Sequence, residues 1–278
     1  MIREITLGQY YPADSIIHKL DPRVKLMGTI FFIISLFLFK NFVGYIVVTI
    51  FLISVIKLSK VPFSFMVKGM KAIVFLLMLT VVMNMFMTVG EPLVTLGKLT
   101  ITKEGLRSAI FMGLRLMYLV IGSSVMTLTT TPNNLTDGME KLMNPLKKIK
   151  VPVHEISMMM SIALSFIPTL VEETDKIMKA QTARCADFES KNLIKRVKSY
   201  IPVLVPLFIS AFRRANDLAM AMEARCYNGG EGRTKMYPLE YKKRDRIAYA
   251  IMLIYLILTV LLPRIIPFDL LVGLLFKA

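Results

Sequence analysis

The sequence predicts an all-α, polytopic membrane protein of about five spans that carries a large basic insert. Three observations point there. Hydrophobic residues make up 55% of the 278 positions, above the roughly 45–50% of a soluble domain, and the mean hydropathy is positive. The apolar residues fall in long uncharged runs, each the length of a span. The charge, +16 from 35 Lys and Arg against 19 Asp and Glu, collects between those runs, as the positive-inside rule and anionic lipid require. No module interleaving aromatic and basic residues accompanies it, so the basic balance points to lipid and not to nucleic acid.

The N-terminus carries Glu4, Asp14 and Asp21 ahead of any apolar run and has no small-residue cleavage pattern, unlike a signal peptide. Gly8 to Ser15 is turn-rich. Asp21 is placed to cap a helix whose first residue is Pro22. From Leu26 to Ile56 only Lys40 is charged. One helix of that length would run about 46 Å against roughly 30 Å of hydrocarbon, so two spans turning near Lys40-Asn41 fit better. Ala72–Gly90 makes a third span, Ser108–Thr131 a fourth with Arg115 inside it, and Ile247–Pro263 a fifth. The apolar tail Leu270–Phe276 is too short to cross alone.

Loop charges orient the spans. Lys57 to Lys71 holds four lysines and no acid, whereas between Gly90 and Leu106 Lys98 and Lys103 are balanced by Glu91 and Glu104. The N-terminus, the Lys57–Lys71 segment and Pro132–Arg246 therefore belong to the cytoplasm, and five spans put the C-terminus outside. Domains follow: 1–131 as a four-span membrane domain, 132–246 as a cytoplasmic or interfacial insert, and 247–278 as the last span and tail. Within the insert Ile156–Val171 and Ile201–Phe212 are apolar. Both contain proline, and both run on into charged amphipathic sequence. Were they a crossing hairpin, the basic Lys176–Lys198 segment would be translocated. They read instead as parts of long helices packed on membrane-embedded partners or lying at the interface.

The sharpest motif is a repeat. Ala180 to Cys185 and Ala221 to Cys226 share Ala-x-x-Ala-Arg-Cys, 41 residues apart, each closing a helical segment. A lone arginine at a helix end suits the helix dipole and needs no further role. The doubled motif favours a pair of docking tips, whose guanidinium forks reach carboxylates or carbonyls of a partner. Methionines, 21 in all and including Met158-Met159-Met160, suit a surface that repacks against several partners. Arg115 is a candidate because ionisable groups within spans are costly, and Asn84 is a candidate for bonding between helices.

Other chemistries lack their residues. There is no phosphate-binding Gly-x-x-x-x-Gly-Lys-Ser/Thr loop, no His-Glu-x-x-His and no Gly-x-Ser-x-Gly. His18 and His154 stand apart in sequence, and Cys185 and Cys226 have no Cys or His neighbours, so no metal site or disulfide framework is expected. No carboxylate lies within a span to couple protons or sodium. No catalytic residue, metal or cofactor is therefore expected.

Taken together, several stretches resemble the transmembrane T component (EcfT) of energy-coupling factor transporters, importers of vitamins and transition-metal ions, across essentially the whole chain. They are Tyr11-Pro12-Ala13-Asp14-Ser15 with His18 to Arg23, Thr131-Pro132 with Leu135 to Gly138, Pro145-Leu146, Val151-Pro152, Phe166 to Thr169, Ala180-Gln181 and the two arginine tips. The resemblance implies a multi-pass cell-membrane protein of five spans with three cytoplasmic coupling helices, at about Leu135–Lys148, Val153–Ala186 and Lys191–Cys226, the last two crossing. It implies a non-catalytic coupling subunit that transmits the ATP-driven motion of two EcfA-type ATPase subunits to one or several substrate-binding S components. The ATPase-docking residues would be Ala183, Arg184 and Cys185 with Ala224, Arg225 and Cys226. The S-component platform would include Met158, Met159, Met160, Leu164, Ile167, Leu204, Leu207 and Phe208. The family's tips usually read Ala-Arg-Gly. Cysteine does not readily take positive φ, so the expectation is a helical backbone at the tip or a slightly different docking geometry, with no glycine-type turn. The rival readings are a stand-alone secondary transporter or channel working through Arg115 and, last, a membrane enzyme.

Overall fold

The computed structural model describes residues 10–39, 41–88, 90–96, 99–188, 192–230, 236 and 238–265. Eight α-helices account for most of them: α1 (Pro22–Leu38), α2 (Phe42–Ser59), α3 (Phe63–Met87), α4 (Lys103–Thr129), α5 (Pro132–Met143), α6 (Val153–Ala183), α7 (Leu193–Ala224) and α8 (Lys243–Ile265). A 3-10 turn, Asn144–Ile149, follows α5. The all-α polytopic plan stands, with one addition: a hairpin of β1 (Pro92–Leu96) and β2 (Leu99–Thr102), paired antiparallel between α3 and α4. Among the described residues four helices are long and apolar enough to cross a membrane, namely Phe42–Ser59, Lys103–Thr129, Val153–Ala183 and Lys243–Leu262, with Ile73–Met87 of α3 a shorter apolar helix. Gly8-Gln9, Lys40, Lys98 and the tail Leu270–Phe276 lie outside the described residues.

Local chemistry sets the helix ends. Asp21 caps α1 as expected, its Oδ1 accepting from the Arg23 N–H at 2.9 Å with Pro22 opening the helix. Thr102 caps α4 by accepting from the Gly105 N–H at 3.0 Å. The α3 helix begins at Phe63, well before Ala72, because Lys68 and Lys71 are good helix formers and prolong the helix beyond its apolar run. The α5 helix stops at Met143, five residues short of the expected Lys148. Pro145 has no N–H for a continuing ladder, and the chain tightens into the 3-10 turn.

Contacts divide the described residues into two compact units, a larger one of 10–138 with 239–265 and a smaller one within 139–238; the division falls inside α5. In the larger unit α1, α2, α4 and α8 bury Phe32, Leu36, Tyr45, Val48, Tyr118 and Tyr255 among one cluster. Tyrosines add directed bonds between apolar helices, where a hydroxyl must find a partner. Ser35 Oγ meets Tyr255 Oη at 2.7 Å, Thr49 Oγ1 meets Tyr118 Oη at 2.7 Å, and Tyr45 Oη donates to the Phe111 carbonyl at 3.0 Å. The N-terminal segment is tied to the end of α4: Tyr11 N–H donates to the Leu128 carbonyl at 2.9 Å, and Lys25 Nζ donates to the carbonyls of His18 and Thr129 at 3.2 and 2.8 Å. His18 itself bonds Ser15 Oγ at 2.7 Å and the Tyr11 carbonyl at 2.9 Å, and burial pushes its imidazole below the ordinary histidine value.

Two polar candidates of the sequence turn out to be local ties. Arg115 donates from Nη2 to the Phe39 carbonyl at 3.3 Å and faces the Phe37 ring, which fastens α4 to the end of α1. Asn84 donates to the Thr80 carbonyl of its own helix at 2.9 Å, so the expected bond between helices is replaced by a bond one turn back.

Candidate docking site

The smaller unit is built around α6 and α7. They run antiparallel where they touch: Glu173 accepts from Ser210 Oγ and from Arg214 Nη2 (3.0 Å), while eight residues later Gln181 reaches back to Pro202. The Gln181 bond has a definite cause. Pro206 has no N–H, so the Pro202 carbonyl lacks its partner one turn on; Gln181 Nε2 donates to that oxygen at 3.4 Å. At the other end of α6, Glu140 of α5 accepts from Ser157 Oγ at 3.0 Å and bonds His154 Nδ1 at 3.2 Å. The sequence singles out Gln181 only as part of the Ala180-Gln181 stretch, not for this bond, and it does not single out Glu140 or Glu173. Only the Pro202–Pro206 spacing hinted that a carbonyl would need an outside donor.

Both arginine motifs end their helices in the same way. Arg184 is the C-cap of α6 with φ −93° and ψ 20°; Arg225 is the C-cap of α7 with φ −92° and ψ 17°. The following cysteines are left-handed, Cys185 at φ 64° and Cys226 at φ 56°. Ala186 N–H donates to the Gln181 carbonyl and Cys185 N–H to that of Thr182, both at 3.0 Å. The second tip repeats this with Tyr227 to Met222 at 3.0 Å and Cys226 to Glu223 at 2.8 Å. These are the paired bonds of a Schellman cap, with cysteine in the place usually held by glycine. The expectation that cysteine rules out a glycine-type turn is therefore corrected. The two cap bonds satisfy carbonyls that the helix end would otherwise orphan, and this offsets the left-handed strain.

Both arginines are exposed, and among the described residues neither guanidinium has a partner. Both cysteines are free thiols at the surface. The tips point to separate places. Arg184 lies three residues beyond Gln181, beside the Pro202 level of α7, whereas Arg225 follows another 23 residues of α7, about 35 Å at 1.5 Å each. After Arg225 the chain passes so close to the start of α6 that a Cβ on Gly230 would lie 2.4 Å from the His154 ring. One tip thus belongs to each end of the helix pair.

Between the tips lies an apolar stripe. On α7 Ile194, Val197, Ile201, Leu204, Phe208 and Phe212 recur at three- and four-residue spacing and are all exposed. Met159 and Met160 are exposed on α6, while Met158, Leu164, Ile167 and, on α7, Leu207 are half-buried. The arrangement offers two cationic plugs and an uncovered apolar face. Among the described residues no three metal-ligating side chains gather.

Known sequences are similar to this chain over most of its length. The model of the family described as cobalt transport protein, CbiQ, matches residues 13–236. A protein of Clostridium kluyveri is 55% identical over 263 residues, 94% of this chain and 97% of its own. One of Thermosediminibacter oceani is 52% identical over 248 residues, covering 89% and 94%, and one of Bacillus subtilis 49% over 246 residues, covering 88% and 93%. Each of the three is named energy-coupling factor transporter transmembrane protein EcfT.

Proposed function

The chain belongs to the family of energy-coupling factor transporter transmembrane proteins, and from that premise we propose that it is the coupling subunit of an importer for vitamins or other micronutrients, without catalysis of its own. The observation that carries the reading is the duplicated tip: two arginines, each on an identical Schellman cap, exposed and unpartnered, at opposite ends of one helix pair. Two equal plugs some tens of ångströms apart suit two ATPase subunits of the same kind, each accepting one guanidinium in an acidic or carbonyl-lined groove. Motion of those subunits would then pull on both ends of the α6–α7 pair. The apolar stripe of α7, with Met159 and Met160, would carry the S component, which binds and releases the substrate.

On this reading α1, α2, α3, α4 and α8 cross the membrane, with the N-terminus and the α5–α7 region in the cytoplasm and the C-terminus outside. Although α6 is long and apolar enough to cross, its last two turns hold Lys176 and Lys179, and the next helix opens with Lys195, Arg196 and Lys198. Carrying that segment across would be costly. At 31 residues, about 46 Å, α6 suits a rod lying against the membrane face.

Reversing the charge at the tips tests the proposal. Arg184→Glu or Arg225→Glu is expected to cut recovery of ATPase subunits with the affinity-tagged chain by at least about tenfold, as loss of a buried charge-assisted pair implies. Membrane insertion should be unchanged. Undiminished recovery and substrate uptake in the double variant would refute it. Substrate flux through liposomes holding this chain alone would favour the stand-alone transporter.

A further inference from the structure

A second feature stands apart from the tips, inside the larger unit. The ends of α1, α2, α4 and α8 that carry Lys25, Leu58, Thr129 and Arg244 surround an apolar slot of about 320 Å³, the size of a small-ligand pocket. Its far end, seven residues or about 10 Å along α1, is the ring of Phe32, which stacks with Phe51 and Tyr255. Small residues make the room: Gly28, Gly122 and Ala248 line it, and a Cβ on Gly122 would come within 2.4 Å of Phe32.

Its chemistry is lopsided. Along its length the lining is aliphatic and aromatic, while at the mouth stand Lys25 and Arg244. A second depression adjoins the slot, sharing Ile16 and Leu58 with it, and adds Lys19, Lys57 and Lys60. The acids nearby are taken: Asp14 pairs with Lys19, Asp21 with Arg23, and Asp245 accepts from the backbone N–H groups of Asp21 and Lys242. Arg244 Nε is buried and, among the described residues, has no hydrogen-bond partner, an arrangement that calls for an anionic acceptor. Because this end carries the basic residues, it faces the cytoplasmic leaflet, where anionic lipid and its interface meet the protein.

We propose that the slot is a binding site for an anionic phospholipid of the inner leaflet. One acyl chain lies along α1 and α8 down to Phe32, and the headgroup phosphate bonds Arg244 beside Lys57 and Lys60. The site needs only that the larger unit sits in a membrane with this basic end at the cytoplasmic face, and it stands or falls apart from the coupling role of Arg184 and Arg225. Native mass spectrometry of the full-length chain in neutral detergent, titrated with phosphatidylglycerol or phosphatidylcholine of matched acyl chains, tests it. Phosphatidylglycerol should bind the unaltered chain at least about tenfold tighter, as one or two basic contacts imply. Arg244→Gln should bring it down to the phosphatidylcholine level. Ala248→Phe, which fills the slot and spares the basic mouth, should abolish both adducts. Equal binding of the two lipids by the unaltered chain, or no adduct at all because the chain's own tail or a partner protein fills the slot, would overturn the proposal whatever the variants do. Displacement of the long-chain lipid by inorganic phosphate alone would overturn it too, since the chain would then contribute nothing.

Discussion

Cys185 and Cys226 occupy left-handed backbone that an L side chain enters at a cost of about 1–2 kcal/mol, and each sits immediately after the arginine it presents. The strain is local and removable. Cys185→Gly and Cys226→Gly should each stabilise the chain by about 0.5–1 kcal/mol, glycine's freedom in the unfolded state returning part of the gain. A rise in the thermal midpoint of the double variant in detergent checks this, and a β-branched replacement at either position should lower it. If glycine leaves the midpoint unchanged or reduces it, the cap geometry is not what holds the tips. The arginines and their repeat were legible in the sequence because a hexapeptide match is local. The turn was not, because a preference against positive φ for cysteine is weaker than two hydrogen bonds acting together, and those bonds involve carbonyls of residues already committed to the helix.

Proline inside a helix normally reads as a break, yet α6 runs through Pro168 and α7 through Pro202 and Pro206. The neighbouring helix supplies what the ladder lacks, Gln181 donating to the Pro202 carbonyl that Pro206 cannot serve. This predicts a coupling measurable by a double-mutant cycle. Gln181→Ala alone should cost about 0.5–1 kcal/mol, the net worth of one partly exposed hydrogen bond. In a Pro206→Ala background, where the residue 206 N–H can serve the carbonyl, the same change should cost almost nothing. Equal costs in both backgrounds would remove the assigned role. At this scale the sequence places most helix ends to within about five residues, since caps and apolar runs are local signals, but it misses the start of α3 by nine. It does not show which face of α6 meets which face of α7, because Glu173–Arg214 and Gln181–Pro202 join residues some 20 to 40 positions apart and leave no periodic trace.

Across the fold, the longest side-chain tie among the described residues is made by a residue that the sequence hides among basic neighbours. Asp245 lies in Lys242-Lys243-Arg244-Asp245-Arg246 and reads as one solvated charge in a membrane-proximal cluster. In the fold it is 1% exposed, its Oδ1 accepting from the Asp21 N–H at 2.9 Å and its Oδ2 from the Lys242 N–H at 2.8 Å. Arg23, bonded to Asp21 and to the Leu239 carbonyl and lying 3.9 Å over the Tyr241 ring, closes the same junction. The start of α8 is thereby fixed to the start of α1, 224 positions away in sequence. That is why residues from Leu239 onward belong to the larger unit, eight residues ahead of the apolar run that marks the last span. Asp245→Ala would leave two backbone donors without their acceptor, at least one of them buried. It should destabilise the chain by about 2–4 kcal/mol, the range for losing charge-assisted bonds to buried groups. Asp245→Asn keeps one acceptor oxygen and turns an amide N–H toward the other donor, so it should fall between the two. Thermal unfolding of the three proteins in one detergent gives the ranking. If alanine and asparagine both match the unaltered chain, the Asp21–Asp245 junction does not hold the first and last helices of this unit together.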